Sequence, residues 1–175
     1  LFVSLLFFVT CQNKPTEPKP DDDEFVFPPD TSAPGSRNYV WREDTLRDAD
    51  PFDIARIWGS SANDVWAVAR ASSAQDGIWH YDGSKWSKTD EYYSGGFYSI
   101  YGFSADNIWA GDAYGKIWHY DGTKWYIYIT LSIAGYDNVC IVDVWGSAAN
   151  DVYTLGFAEN YSGGYTGIIY HFDGN

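Results

Sequence analysis

Positive charge, sulfur and long apolar runs are what this sequence has least of. Eleven Lys and Arg stand against 24 Asp and Glu, a formal net charge of −13, and such a surface repels phosphate backbones, so nucleic acid is not an expected partner. The longest apolar run, Leu1 to Thr10 (LFVSLLFFVT), has ten residues; that is about half of what a membrane-spanning helix needs. Cys11 and Cys140 are the only cysteines, too few for a disulfide framework. Methionine is absent even at position 1, so an intact translation product is not expected. No nucleophile elbow, phosphate loop, Cys/His pair or metal-spaced cluster appears, and neither a cofactor nor a metal is expected. Helical periodicity is nowhere sustained.

Aromatic residues are abundant instead: nine Trp, fifteen Tyr and ten Phe, a composition that favours strands. Many of them fall in phrases that return. IWGSSAN (Ile57 to Asn63) comes back as IYGFSAD (Ile100 to Asp106) and VWGSAAN (Val144 to Asn150); the glycines Gly59, Gly102 and Gly146 are 43 and 44 residues apart. IWHYDG at Ile78 keeps pace, returning at Ile117 and, as IYHFDG, at Ile169. Each unit reads as strand, polar turn, strand, loop, strand, Asp-Gly hairpin turn, strand. Four short strands in about 40–50 residues is the arithmetic of a β-propeller blade. The expected fold is therefore all-β: a propeller segment of about three four-stranded antiparallel blades, at about 52–90, 96–130 and 140–175, within a folded region 38–175. Three units are expected to be part of a longer array.

The first 37 residues read differently. Residues 1–10 have the length of the apolar core of a secretory signal. FVTC (Phe8 to Cys11) resembles a bacterial lipobox, with Phe where Leu is usual and Thr where Gly or Ala is usual; the resemblance implies a lipidated Cys11 as the mature N-terminus. Gln12 to Ser36 holds six of the seven prolines and the acidic run Asp21 to Glu24, and such a segment cannot bury enough surface to order itself. Residues 11–37 are expected to be an extended tether.

The phrases WGSSxNDVWAV and GxIxHYDGxxW resemble tandem-repeat β-propeller lipoproteins of bacteria, related in style to kelch propellers and to that of galactose oxidase. The resemblance covers about Tyr39 to Asn175. It implies the propeller fold and a place in the cell envelope, outside the cytoplasm and anchored to the membrane by lipid. Tyr39 to Arg42, with Trp41 one repeat before Trp86, is expected to be the outer strand of a blade whose other strands lie elsewhere.

Spacing separates two kinds of connection. Gly59 to Asn63, Gly102 to Asp106 and Gly146 to Asn150 are always four residues, as are Asp82 to Trp86 and Asp121 to Trp125. The loops between second and third strands, and the links between blades, vary. In an up-and-down blade those variable connections share one face, where loops carry function on a fixed scaffold. The candidate ligand-binding residues there are Tyr92, Tyr93, Asp112, Tyr114, Tyr136, Asp137, Glu159 and Tyr161, with Tyr165 beside them. Tyr and acids on loops suit stacking and hydrogen bonding to a glycan or a protein. The expected role is a binding or scaffolding module. The alternative is a glycan-active hydrolase or lyase using a carboxylate pair from Asp112, Asp137 or Glu159. His80, His119 and His171 share one slot in successive blades, too far apart to converge on a metal, and are expected to bond the adjacent turn. Arg56, Ser99 and Asp143 share a slot on the innermost strand and are candidates to line a central channel. Cys140, in an apolar run, is read as a small core residue.

Overall fold

The computed structural model describes residues 42–46, 52–71, 77–89 and 96–174. Cys11, segments 1–10 and 11–37, Trp41 with the strand expected around it, and Tyr92 and Tyr93 lie outside the described residues.

Among the described residues the chain forms eleven strands and no helix. They make three antiparallel sheets in sequence order, all within Leu46–Asn175. The first contains β1 (Phe52–Ser61), β2 (Asp64–Ala71), β3 (Ile78–Tyr81) and β4 (Trp86–Lys88). The second contains β5 (Phe97–Ser104), β6 (Asn107–Asp112), β7 (Lys116–Tyr120) and β8 (Trp125–Thr130). The third contains β9 (Asn138–Ala148), β10 (Asp151–Glu159) and β11 (Tyr165–Phe172). It has three strands where four were expected. In the first two sheets the last strand starts four residues after Asp82 or Asp121, and the same step from Asp173 passes residue 175.

The sheets stack through their apolar faces, and the strand period of two decides which residue meets which neighbour. Trp66, Val68 and Ile78 of the first sheet are buried with Phe97, Ile100 and Ile108 of the second. One repeat later, Trp109 and Ile117 of the second sheet are buried with Ile141, Val144 and Val152 of the third. The second sheet, covered on both sides, therefore has an apolar β6 with no exposed position.

The repeated Trp-Gly and Tyr-Gly pairs have a geometric cause. A Cβ added to Gly102 would stand 2.6 Å from the Trp58 ring of the preceding sheet, and one added to Gly146 would stand 2.5 Å from Phe103. Tyr101 reaches the same place, donating its hydroxyl to the Gly146 carbonyl at 2.9 Å. The aromatic of one sheet thus lies on the glycine of the next, and only a residue without a side chain lets the sheets approach that closely.

The first strand of each sheet carries two register shifts, at equivalent places. Each is a bulge, which bends and twists the strand. Arg56, Ser99 and Asp143 follow the first bulge. Their environments differ: Arg56 is exposed and Asp143 half-buried, but Ser99 is fully buried. Ser99 therefore does not line a channel. Its hydroxyl lies beside Gly111, which Ile141 of the third sheet also crowds.

Candidate functional site

The two ends of the stack are built on different chemistry. At one end the fixed-length connections pack on each other. A Cβ on Gly83 would meet Asn63, one on Gly122 would meet Asp106 and one on Gly174 would meet Asn150, each at 2.8 Å. These three glycines hold φ of 91°, 88° and 85°, the left-handed region where other residues are strained. Asp82 Oδ1 accepts the N–H groups of Ser84 and Lys85, and Asp121 Oδ1 those of Thr123 and Lys124. The Lys85 N–H with the Ser84 hydroxyl and N–H holds the Asp82 carboxyl down at about 2, and the Thr123 hydroxyl with the Lys124 and Thr123 N–H groups holds that of Asp121 there too. The aspartates are turn formers, as their spacing implied.

The histidines belong to the same end. His80 Nε2 lies 2.7 Å from Asp64 Oδ1, His119 Nε2 lies 3.0 Å from Asn107 Oδ1, and His171 Nε2 lies 2.7 Å from Asp151 Oδ1. The same acceptor takes the indole N–H of Trp66 in the first sheet and of Trp109 in the second. Partial burial pulls Asp64 up, but hydrogen bonds from Ser60, His80 and Trp66 outweigh it and leave its carboxyl lowered. Asp151 is lowered by Ser147 and His171. Each histidine bonds the turn of its own sheet. Among the described residues no cluster of metal-ligating groups forms.

At the other end three of the variable connections, β6–β7, β8–β9 and β10–β11, form one hydrogen-bonded layer among the described residues. The β8–β9 connection is its hub. Leu131 donates its N–H to the Gly115 carbonyl at 2.8 Å, reaching the β6–β7 turn. Asp137 donates its N–H to the Glu159 carbonyl at 2.9 Å, and its carboxylate accepts the Tyr161 N–H at 2.8 Å. Asn138 donates to both the Ala113 carbonyl and the Glu159 carboxylate, each at 3.2 Å. The β10–β11 loop is closed on itself, with Asn160 Oδ1 accepting Gly164 N–H and the Ser162 hydroxyl, both at 2.7 Å.

The candidate residues of this face divide accordingly. Asp112 is 1% exposed. Its Oδ1 accepts the N–H groups of Tyr114 and Lys116, and its Oδ2 accepts Trp118 Nε1–H at 3.0 Å. Burial pushes its pKa up despite those bonds. Asp112 therefore holds a turn and is not available to a ligand, contrary to its expected role; a spacing argument had no means of showing which way the side chain turned. Tyr136 is half-buried against the apolar core beneath the loops. Asp137 is exposed and Glu159, at the end of β10, is half-buried; both tie loops together. Tyr161, Tyr165 and Tyr114 remain, exposed at 91%, 69% and 57%. A hydrogen bond to Glu159 raises the Tyr165 hydroxyl above its ordinary value. This face thus presents the rings of Tyr114 and Tyr161 from hydrogen-bonded loops and that of Tyr165 from the first residue of β11. Cys140, on β9, is buried and its thiol is pushed up to about 11 by burial.

Consecutive antiparallel meanders, stacked face to face with their first strands adjacent and their turns sorted to two ends, define a β-propeller segment whose ring is not closed. No family model and no curated protein matches the chain. Among solved structures it is similar to one described as YCF48 bound to D1 peptide, at 13% identity and a TM-score of 0.47, over 70% of this chain and 42% of that one. It is also similar to the computationally designed Ika4 protein, at 18% identity and a TM-score of 0.34, over 63% of this chain and 61% of that one. The chain thus spans less than two thirds of the length of either.

Proposed function

We propose that this chain is a binding module that takes a protein ligand on its variable-loop face. The carrying observation is the exposure of Tyr114 and Tyr161 on hydrogen-bonded loops and of Tyr165 at the start of β11. A ring held by a fixed backbone offers broad contact area at little entropic cost, and the Asn, Ser and Gly of Asn160–Gly164 add adaptable hydrogen bonding. That mixture is the chemistry of protein-binding loops. The enzyme alternative draws no support from the acids of this face: Asp112 is buried among three donors, and Asp137 and Glu159 are engaged by neighbouring loops.

The module sits outside the cytoplasm in the envelope of a bacterium, tethered through a lipidated Cys11 and the proline-rich segment 11–37. The lipobox-like FVTC supports the anchor, and the repeat phrases support a place among tandem-repeat propeller lipoproteins. The test is a combined peptide and glycan array, probed with the wild type and with a Tyr114→Ala/Tyr161→Ala/Tyr165→Ala variant. Binding of the wild type to peptides, lost in the variant, is expected. Binding confined to glycans, or binding that survives the triple substitution, would overturn the assignment.

A further inference from the structure

The junction between the first two sheets shows how this fold holds a cation. At the loop end of the first sheet Arg70 reaches the Asp53 carboxylate at 2.7 Å, and its guanidinium carbon lies 5.5 Å from the centre of the Tyr98 ring of the second sheet. A tyrosine face with a carboxylate suits a guanidinium, which is planar, weakly hydrated and able to stack on a ring while it bonds an acid. The slot of Arg70, eleven residues after Gly59, holds Ala113 in the second sheet and Phe157 in the third. The cation is thus not repeated, while tyrosines and carboxylates recur at the same end.

The layer formed by the β6–β7, β8–β9 and β10–β11 connections is short of positive charge. All three run between described strands. Residues 113–115, 131–137 and 160–164 include Asp137 and no Lys or Arg. Asp112, Glu159 and Lys116 flank them, and Lys116 acts on the buried Asp112. Among the described residues neither Asp137 nor Glu159 forms an ion pair. Neighbouring groups feel the charge of Glu159: it raises the Tyr165 hydroxyl by a hydrogen bond and by repulsion, and it adds to the burial that raises the Cys140 thiol. The loops hold both carboxylates in place. Asp137 Oδ2 accepts the Tyr161 N–H at 2.8 Å, the Asp137 N–H bonds the Glu159 carbonyl at 2.9 Å, and Glu159 Oε1 accepts the Asn138 amide at 3.2 Å. Tyr161, on the same loop, is 91% exposed.

Resting on the assignment of a protein ligand to the loop face, we propose that the segment bound there presents an arginine, whose guanidinium covers the Tyr161 ring beside the carboxylates of Asp137 and Glu159. The partner supplies the group that Arg70 supplies at the first junction. Carboxylates already fixed by the loops lose little entropy when such a cation arrives. The formal net charge of −13 steers a basic segment toward the chain and repels an acidic one. A neutral glycan gains nothing from that charge.

The test begins with an array of peptides of one length in basic, neutral and acidic sets. The strongest binder is then titrated by fluorescence anisotropy beside the same peptide with each arginine replaced by citrulline, which keeps the shape and loses the charge. The basic set is expected to dominate, and citrulline should weaken binding at least about fivefold, by less as salt rises. Asp137→Asn/Glu159→Gln, with its fold verified by circular dichroism, should bind the two peptides alike. Asp82→Asn/Asp121→Asn removes the same charge at the other end and should discriminate as the wild type does. Tyr161→Ala replaces the first variant should that one lose its sheet signal; reduced discrimination is expected, and undiminished discrimination overturns the proposal. Peptide binding that tolerates citrulline overturns it and leaves the protein-ligand assignment standing. Equal loss of discrimination in both charge variants overturns it too, since net charge alone then accounts for the preference. An array on which no peptide binds overturns the assignment and this proposal together.

Discussion

Replacing Asp112 by Ala tests the most specific revision of the loop face. The substitution removes the acceptor for three donors at once: the Tyr114 and Lys116 N–H groups at 2.8 and 2.9 Å, and Trp118 Nε1–H at 3.0 Å. The indole is buried, and losing its Asp112 acceptor costs about 1–3 kcal/mol. The two turn bonds add about 0.5–1.5 kcal/mol each. Removing a carboxylate whose burial is unfavourable returns part of this, so the expected net loss is about 2–4 kcal/mol. Asp112→Asn separates the contributions. Its remaining oxygen keeps both backbone donors, while its amide N–H faces the Trp118 N–H, donor to donor, and the expected loss is about 1–3 kcal/mol. Urea unfolding followed by tryptophan fluorescence, at one fixed protein concentration, measures both. A loss below about 0.5 kcal/mol for Asp112→Ala would refute the reasoning, and a selective loss of ligand binding would return Asp112 to the binding face.

Gly102→Ala forces a methyl group to within 2.6 Å of Trp58; overpacking of this kind costs about 1–3 kcal/mol, and an unchanged melting temperature would contradict the stacking of aromatic on glycine. Asp82 and Asp121 have folded-state pKa values of about 2, below their ordinary 3.8, and a depressed carboxylate contributes stability that is present above the ordinary value and lost as pH falls through the folded one. Melting temperature should therefore drop between about pH 4 and 2, and a double Asp82→Ala/Asp121→Ala variant should show a shallower drop from a lower plateau. Mass spectrometry of the protein isolated from bacterial membranes should find an acylated N-terminal Cys11; an unmodified peptide continuing upstream through Leu1 would end the lipid-anchor proposal.

The fold was legible because its signals are local and repeated. Strand, turn and strand recur at Ile57, Ile100 and Val144, and the Asp-Gly turns fix hairpins whose bonds stay within four residues. The histidines were legible for the same reason, since a slot repeated in three sheets suits a bond to its own turn better than convergence on a metal. Burial at the loop face was not legible. Asp112 and Asp137 look alike in sequence, both acids within two residues of a tyrosine, yet one turns inward onto Trp118 while the other holds Tyr161 from the surface. Asp112 closes its own β6–β7 turn, whereas Asp137 reaches across to the β10–β11 loop, and no spacing encodes that choice. Ser99 failed likewise: its slot is shared with Arg56 and Asp143, but only its sheet is covered on both sides. Gly102 and Gly146 were visible as punctuation, and their reason, an aromatic ring from the preceding sheet, needed the stack.

The central claim is that one end of the stack holds the fold and the other binds. The most direct measurement sets thermal stability beside ligand affinity for two variants, Asp82→Ala/Asp121→Ala at the turn end and Tyr114→Ala/Tyr161→Ala/Tyr165→Ala at the loop end. The turn variant is expected to melt earlier and, where folded, to keep its affinity for an array-selected peptide. The tyrosine variant is expected to melt with the wild type and to lose at least about tenfold in affinity, the scale of a truncated hot spot. A tyrosine variant that binds like the wild type, beside a folded turn variant that does not, would contradict the account.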